Sequence, residues 1–189
     1  MKRVISALIV ITLILSLFSM FKASASETEI IYTFEEVNPL NGLYKYNNAK
    51  PEYTSKLIQS EINSDENFAS SGSHSLYIYD ASSDTYPGIA SPFIYVDDYG
   101  EYTMTDDAMT LNGRLRMYLR CYDKSHKNYV QKGIFVDSKN MFKTYSISFV
   151  VGPDYPDVRL LFLSGSEEGV EVEEGYFDNI SLKKTSEFD

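Results

Sequence analysis

Short runs of apolar or alternating residues, separated by turn-forming residues, follow one another along the chain from residue 30 onward. This pattern is typical of β-strands, and the spacing of three to four residues that marks a helix is nearly absent. The pattern predicts strands at residues 30–34, 75–79, 93–96, 102–105, 114–123, 130–136, 144–151, 158–164 and 176–183. About nine strands at this spacing predict an all-β domain, built as a β-sandwich.

Residues 41–70 interrupt the strand pattern. The segment is polar and poorly periodic. It is therefore predicted to be a long loop, with a short helix near residues 52–59. Long loops in compact domains often serve in binding.

Alternation within the predicted strand 114–123 divides its side chains between two faces. One face is apolar and is predicted to be core, with Leu115, Met117, Leu119 and Cys121. The other face begins at Arg114, and its predicted ligand-binding residues are Arg116, Tyr118, Arg120 and Tyr122. Such a row can stack on the rings of a ligand and donate hydrogen bonds to it. The alternative is that these side chains form cross-strand pairs without a ligand, or that the arginines bind the protein's own carboxylates.

The first residues have the three parts of a secretory signal. Lys2 and Arg3 precede an apolar run at 4–21, and the small residues Ala23 and Ala25 follow it. We expect cleavage after residue 25, which leaves a single domain at 26–189 that is secreted or held at the cell surface. The alternative is that the apolar run, long enough to span a bilayer, is kept as an anchor.

Charge and cysteine content narrow the range of partners. The full chain has a formal net charge of −10, and the predicted signal removes three basic residues and no acidic one. Because polyanions are bound by Lys and Arg, we expect no nucleic acid partner and no attachment to anionic lipid after cleavage. The single Cys forbids an internal disulfide, so the core and a metal ion are the expected sources of stability.

The residue types that catalyse reactions are sparse. The only histidines, His74 and His126, are too far apart in sequence for a zinc-binding His pair on one helix. Cys121 falls on the predicted core face, where a thiol is inert. The acid pairs 167–168 and 173–174 are interpreted as solvated charge, although two carboxylates can in principle flank a glycosidic bond. We therefore interpret the chain as non-catalytic, with a lyase or hydrolase on the same β fold as the least favoured hypothesis.

Several motifs, taken in order, are similar to those of a known family. The chain opens with Phe34-Glu35-Glu36, turns at Ser71-Gly72-Ser73, and continues with the central strand at 116–123 and the segments 141–149, 158–163 and 175–182. This order resembles carbohydrate-binding modules of the galactose-binding-like jelly-roll type, the kind appended to xylanases and glucanases. The resemblance implies a jelly roll that binds cell-wall, matrix or plant polysaccharide. The chain departs from the family in having no Trp, so tyrosines are the expected stacking rings.

The resemblance also implies a structural calcium ion. The residues that match the family pattern are Glu35, with Glu36 as the alternative, the backbone of Ser71 and Gly72, and Asp178. Calcium binds six to eight oxygen ligands, so carboxylates and backbone carbonyls suit it. Residues 80, 82 and 84 have the spacing of a second calcium loop, without the Gly and the final Glu that an EF-hand needs.

The sequence thus supports two main hypotheses. The first is a secreted, non-catalytic, calcium-stabilised jelly roll that binds polysaccharide or oligosaccharide through the face of strand 114–123. The second is an extracellular structural or protein-interaction module of the same fold, without a sugar site, whose partner is a surface or matrix protein.

Overall fold

The computed structural model describes residues 29–35, 42–46, 58–81, 86–165 and 168–187. Nearly all of these residues form strands or the connections between them, and one short 3-10 helix spans Glu66–Phe68. The strands are β1 (Glu29–Tyr32), β2 (Tyr44–Tyr46), β3 (Ile58–Asn63), β4 (Ser75–Asp80), β5 (Gly88–Ala90), β6 (Ile94–Tyr95), β7 (Gly100–Asn112), β8 (Leu115–Tyr122), β9 (Tyr129–Val136), β10 (Lys143–Val151), β11 (Asp157–Ser164) and β12 (Glu173–Glu187).

The strands form two antiparallel sheets. In the first sheet the order is β10-β7-β12-β4-β3, and β1 pairs with the remaining part of β12. In the second sheet the order is β2-β5-β11-β8-β9, and β6 pairs with one end of β11. Apolar side chains from both sheets form one core between them. The predicted all-β sandwich is therefore confirmed.

The buried side chains that the second sheet contributes to the core come mainly from alternate positions of β8 and β11. The even-numbered residues of β11, such as Phe162, and the odd-numbered residues of β8 are fully buried. The ring of Phe162 meets that of Phe177 from β12 at 5.2 Å between centres, in a T-shaped contact that joins the two sheets. Cys121 lies on the core face as predicted, and burial raises the pKa of its thiol to about 12.

The nine predicted strands are all present, but three of the twelve strands observed in the described residues were not predicted. One is β5, a short buried strand between the predicted strands 75–79 and 93–96. The other two lie in the segment 41–70, so the loop predicted there is partly wrong. Residues 44–46 form β2 and residues 58–63 form β3. Both are edge strands, each paired on one side only. An edge strand exposes more of its surface to water and so lacks the apolar signal of a central strand. Of the helix predicted near 52–59, residues 58 and 59 belong to β3, and the rest lies outside the described residues.

The predicted signal at residues 1–25 also lies outside the described residues. Within the described ranges, no helix has the length and apolar character needed to cross a bilayer.

Candidate functional site

The outer face of the second sheet carries the predicted ligand-binding residues. Strand register places Arg116, Tyr118, Arg120 and Tyr122 of β8 on this face. Neighbouring strands add side chains that lie beside them on the same face. We call this surface the arginine face; besides the four residues of β8 it contains Tyr44 and Tyr46 of β2, Arg159, Leu161 and Leu163 of β11, and Tyr129, Gln131 and Phe135 of β9.

Arg120 occupies the centre of the arginine face and is only 9% exposed. Its Nε donates to Gln131 Oε1 at 2.9 Å, and its Nη1 donates to the hydroxyls of Tyr46 and Tyr122 at 3.1 and 3.0 Å. Its Cζ lies 4.2 Å from the ring centre of Tyr129. Burial by itself lowers the pKa of Arg120, but the hydrogen bonds to Tyr122 and Tyr46 outweigh it and raise that pKa. The guanidinium is thus held in one orientation by neutral partners.

Arg159 lies beside Arg120 in the neighbouring strand and is 8% exposed. Its Nε donates to the backbone carbonyl of Ser91 at 3.1 Å. Its Cζ lies 4.3 Å from the ring centre of Tyr44 and 5.0 Å from that of Phe93. Burial lowers the pKa of this guanidinium. Arg159 was not predicted to belong to the site, although alternation along β11 is a signal that could have identified it.

Arg116 lies at the other end of the arginine face. Its Cζ is 4.7 Å from the ring centres of both Tyr86 and Phe135. Its Nη1 donates weakly to Tyr118 at 3.4 Å. Its Nε is buried and has no hydrogen-bond partner in the part of the chain that the structure describes. Cation–π contacts of this kind hold an arginine in place without neutralising its charge.

Exposed aromatic rings surround these arginines. The five rings that contact or border the guanidinium groups are between 37% and 49% exposed, and they are Tyr44, Tyr86, Phe93, Tyr129 and Phe135. Tyr122, by contrast, is only 7% exposed, because Phe93 and Tyr129 pack against it at 5.1 and 5.3 Å between ring centres. Tyr122 therefore supports the face, and the exposed rings beside it were not among the predicted ligand-binding residues.

Tyr118 lies flat across the neighbouring strand. Its ring passes over Gly133 of β9, so closely that a Cβ at that position would overlap the ring. On its other side Tyr118 packs against a small apolar cluster of Ala90, Leu161 and Leu163. Gly133 is thus required because a ring occupies the space that any side chain would need.

We expect Gly133→Ala to destabilise the protein by about 1–3 kcal/mol, because the new methyl group forces the Tyr118 ring out of its position. The same substitution made in a Tyr118→Ala background should be neutral or slightly stabilising, since Ala restricts the unfolded chain more than Gly does. Chemical denaturation of the four proteins measures both effects. Equal destabilisation in the two backgrounds would show that Tyr118 is not the cause.

The residues predicted to bind calcium lie at the first sheet, around the turn 70–74. Asp178 is fully buried, and its Oδ2 accepts hydrogen bonds from the backbone N–H groups of Ser70 and Ser71 at 2.8 and 3.0 Å. Glu35 Oε1 accepts from the backbone N–H groups of Ser73 and His74 at 2.8 and 2.6 Å. We call these two carboxylates and the turn that they hold the carboxylate clamp.

Hydrogen bonds from His74 and Ser73 lower the pKa of Glu35 from 4.5 to about 2. Since the folded pKa is depressed, the stability that this contact supplies is present above pH 4.5 and is lost as the pH falls toward 2. Burial raises the pKa of Asp178, in spite of the N–H groups of Ser71, Asn179 and Ser70 that bind its charged form.

A calcium ion needs oxygen atoms directed at one point, whereas the carboxylate oxygens of Glu35 and Asp178 point at N–H donors. As arranged here, the two carboxylates and the turn fit a hydrogen-bonded clamp and do not fit a calcium site. The calcium ion stays a prediction, and substitution of Asp178 can test it. Of the second candidate loop, Asp80 is buried and accepts from Ser164 Oγ at 2.7 Å, while residues 82 and 84 lie outside the described residues.

The residues considered for catalysis lie apart from one another or are bonded to other side chains. His126 Nε2 lies 2.8 Å from Asp157 Oδ2, and its ring stacks on Phe93 at 3.8 Å between centres. Glu173 and Glu174 are adjacent in β12, so their side chains point to opposite faces of the sheet and cannot flank one bond. Over the described ranges, no group of three or more His, Cys, Asp or Glu side chains is placed to hold a metal ion.

No protein-family model matches the sequence, and a search of curated proteins gave no match. The structure, however, is similar to solved structures. The C-terminal family 22 carbohydrate-binding module of Clostridium thermocellum Xyn10B superposes with a TM-score of 0.59 at 15% identity, over 85% of this chain and 94% of that module. The CBM22-1 xylan-binding domain of Paenibacillus barcinonensis Xyn10C gives 0.58 at 11% identity, over 83% and 95%.

A larger structure contains the same fold as one of its parts. The CBM22-1–GH10 modules of Clostridium thermocellum xylanase 10B, solved with xylohexaose, give a TM-score of 0.59 at 13% identity over 86% of this chain. This chain spans only 29% of that one. Likeness at such low identity establishes the fold. The chain is a β-sandwich jelly roll of the kind found in carbohydrate-binding modules, and the resemblance noted in its sequence is confirmed at that level.

Proposed function

We propose that this protein is a secreted, non-catalytic module that binds polysaccharide on its arginine face. The observation that carries the proposal is the combination, on one face of one sheet, of exposed aromatic rings and nearly buried arginines. Rings stack on the apolar faces of sugars, and guanidinium groups donate to sugar oxygens. Two of the structural neighbours are xylan-binding domains, which supports the same class of ligand.

The arginine face is preorganised for such a ligand. The hydrogen bonds of Arg120 to Tyr46, Tyr122 and Gln131 fix its guanidinium before any ligand arrives. Arg159 is fixed in the same way by the carbonyl of Ser91 and by the ring of Tyr44. Binding therefore does not have to restrict these long side chains, a cost of about 0.5–1.5 kcal/mol for each one that is otherwise mobile.

Affinity electrophoresis on a panel of neutral and acidic polysaccharides, followed by calorimetry on the members that bind, tests the proposal. We expect Tyr129→Ala to weaken binding by about 0.5–1.5 kcal/mol through the loss of a stacking ring. Arg120→Ala should weaken it by about 1–3 kcal/mol through lost donors. Tyr79→Ala is the matched control, because Tyr79 belongs to β4 in the first sheet and lies away from the arginine face.

Circular dichroism and thermal unfolding confirm that each variant is folded. If the wild type retains no polysaccharide, the protein-interaction hypothesis takes the place of this one. If folded Tyr129→Ala and Arg120→Ala proteins bind as well as wild type, the binding site lies elsewhere on the molecule.

Secretion is proposed from the sequence of the first residues. We expect the mature protein to begin at Ser26 and to be recovered outside the membrane, because Ala23 and Ala25 occupy the positions that a signal peptidase recognises. Mass spectrometry of the protein from its native host measures the first residue. Recovery of the full-length chain from the membrane fraction alone would show that the apolar segment is an anchor.

A further inference from the structure

Two arginines face each other across the centre of the second sheet. Arg120 of β8 and Arg159 of β11 are direct partners in the strand register, and both are less than 10% exposed. Like charges directly opposite each other destabilise a sheet, and withdrawal from water increases the cost. A negatively charged group between the two guanidiniums would offset that cost.

The described residues of this chain do not supply that charge. Arg120 donates to an amide oxygen and two phenol hydroxyls, and Arg159 donates to a backbone carbonyl. Their other close neighbours are aromatic rings. None of these partners is a carboxylate, so among the described residues no acidic side chain contacts either guanidinium.

The acid on this face of β11 is engaged elsewhere. Asp157 lies two residues from Arg159, but its Oδ2 is 2.8 Å from His126 Nε2. The ring of His126 stacks on Phe93, which also contacts Arg159, and among the described contacts no ion pair joins Asp157 to Arg159. The sequence hypothesis that the arginines bind the protein's own carboxylates is therefore not what the described contacts of Arg120 and Arg159 show.

We infer that the arginine face binds an anionic glycan, whose carboxylate or sulfate group is held between Arg120 and Arg159. This inference rests on the proposed function and narrows it to a charged ligand. A guanidinium has five N–H donors, of which Arg159 uses one in its described contacts, so donors remain for an oxyanion. The buried, unpartnered Nε of Arg116 extends the same unsatisfied positive surface along β8.

The net negative charge of the whole protein determines where an anionic glycan can bind. A chain with a net charge of −10 repels polyanions in general, so bulk attraction does not favour an anionic polymer. Binding of an anionic glycan to this protein requires a local site. The arginine face is such a site, because three arginines lie on it within two neighbouring strands.

The experiment compares polymers that differ only in charge. Calorimetry or affinity electrophoresis measures wild-type binding to polygalacturonate and to its methyl ester, and to dextran sulfate and dextran. We expect at least one acidic polymer to bind about tenfold or more tightly than its neutral counterpart, as the loss of a charged hydrogen bond implies. A preference for polygalacturonate identifies a carboxylate, and a preference for dextran sulfate identifies a sulfate.

Arginine variants show which residues cause the preference for an acidic polymer over its neutral counterpart. Arg159→Gln should reduce it, while Arg159→Lys, which keeps the charge, should retain part of it. Lys143→Gln is the matched control, since it removes an exposed positive charge from β10 in the first sheet and should leave the preference unchanged. The wild-type comparison of acidic and neutral polymers does not depend on the folding of any variant.

The outcomes separate this inference from the proposed function. Equal binding of each acidic polymer and its neutral counterpart would overturn the inference and leave polysaccharide binding intact. An acidic preference that survives in folded Arg159→Gln and Arg120→Gln proteins would overturn the assignment to this pair. Binding to none of the polymers, here or in the wider panel, would overturn both.

Discussion

Replacing Asp106 with Val should raise the free energy of unfolding at pH 7 by about 1–3 kcal/mol, the usual cost of a buried polar group without partners. Asp106 lies on the inward side of β7, between the buried side chains of Met104 and Ala108. It is 1% exposed, and within the described residues neither of its oxygens has a hydrogen-bond partner. Val suits the position, because its branched side chain favours a strand.

The stability gained by Asp106→Val should depend on pH. Burial, with a smaller effect of Asp107, raises the pKa of Asp106 well above its ordinary 3.8. Because the folded protein holds this proton more tightly than the unfolded chain does, wild-type stability falls as the pH rises from about 4 through the folded pKa. Val cannot titrate, so its advantage over Asp should be small near pH 4 and larger at pH 7. Urea denaturation at several pH values measures the difference.

Two further variants control for this result. Asp106→Asn keeps the shape and removes the charge, so it should flatten the pH dependence in the same way. Asp107→Val should instead destabilise the protein, because the neighbouring carboxylate accepts hydrogen bonds from Thr144, Ser70 and Asn179. If both Asp106 variants are less stable than wild type at pH 7, the carboxyl group has a structural role that its described contacts do not reveal.

Asp178→Ala should lower the free energy of unfolding by about 3 kcal/mol or more. The buried carboxylate accepts from the backbone N–H groups of Ser70, Ser71 and Asn179, and each donor left unsatisfied costs about 1–3 kcal/mol. The connection between the 3-10 helix and β4 should also become less ordered, because the hydrogen bonds of Asp178 hold this connection against the first sheet.

The same position distinguishes a clamp from a calcium site. Asp178→Asn keeps an oxygen that can accept from Ser70 and Ser71, while its NH2 group replaces the oxygen that accepts from Asn179. In a hydrogen-bonded clamp it should therefore cost less than Ala, because two of the three hydrogen bonds remain. In a calcium site the loss of the ligand charge would make Asn nearly as damaging as Ala, and chelation would lower the wild-type unfolding temperature. We expect the Asn variant to be more stable than the Ala variant and the wild-type unfolding temperature to be the same with chelator and with added calcium. A fall of that temperature on chelation would establish the metal and contradict the clamp.

Local pattern was sufficient to predict the two faces of β8. Side chains alternate along any extended strand, so the separation of Leu119 and Cys121 from Arg120 and Tyr122 follows from the sequence of one segment. The same reasoning predicted the nine strands with a clear apolar signal. It failed for β2, β3 and the three-residue β5, whose existence depends on the neighbours with which they pair.

Within the candidate site, the sequence by itself determined that arginines and tyrosines share one face of one strand. Only the tertiary structure decided what lies beside them. Arg159, 39 residues further along the chain, becomes the direct partner of Arg120, and Gly133 comes to lie beneath Tyr118. The pairing of distant strands is selected by the packing of the whole core, and no local pattern contains it. For that reason the opposed arginines, the exposed rings around them and the buried Asp106 are properties of the fold.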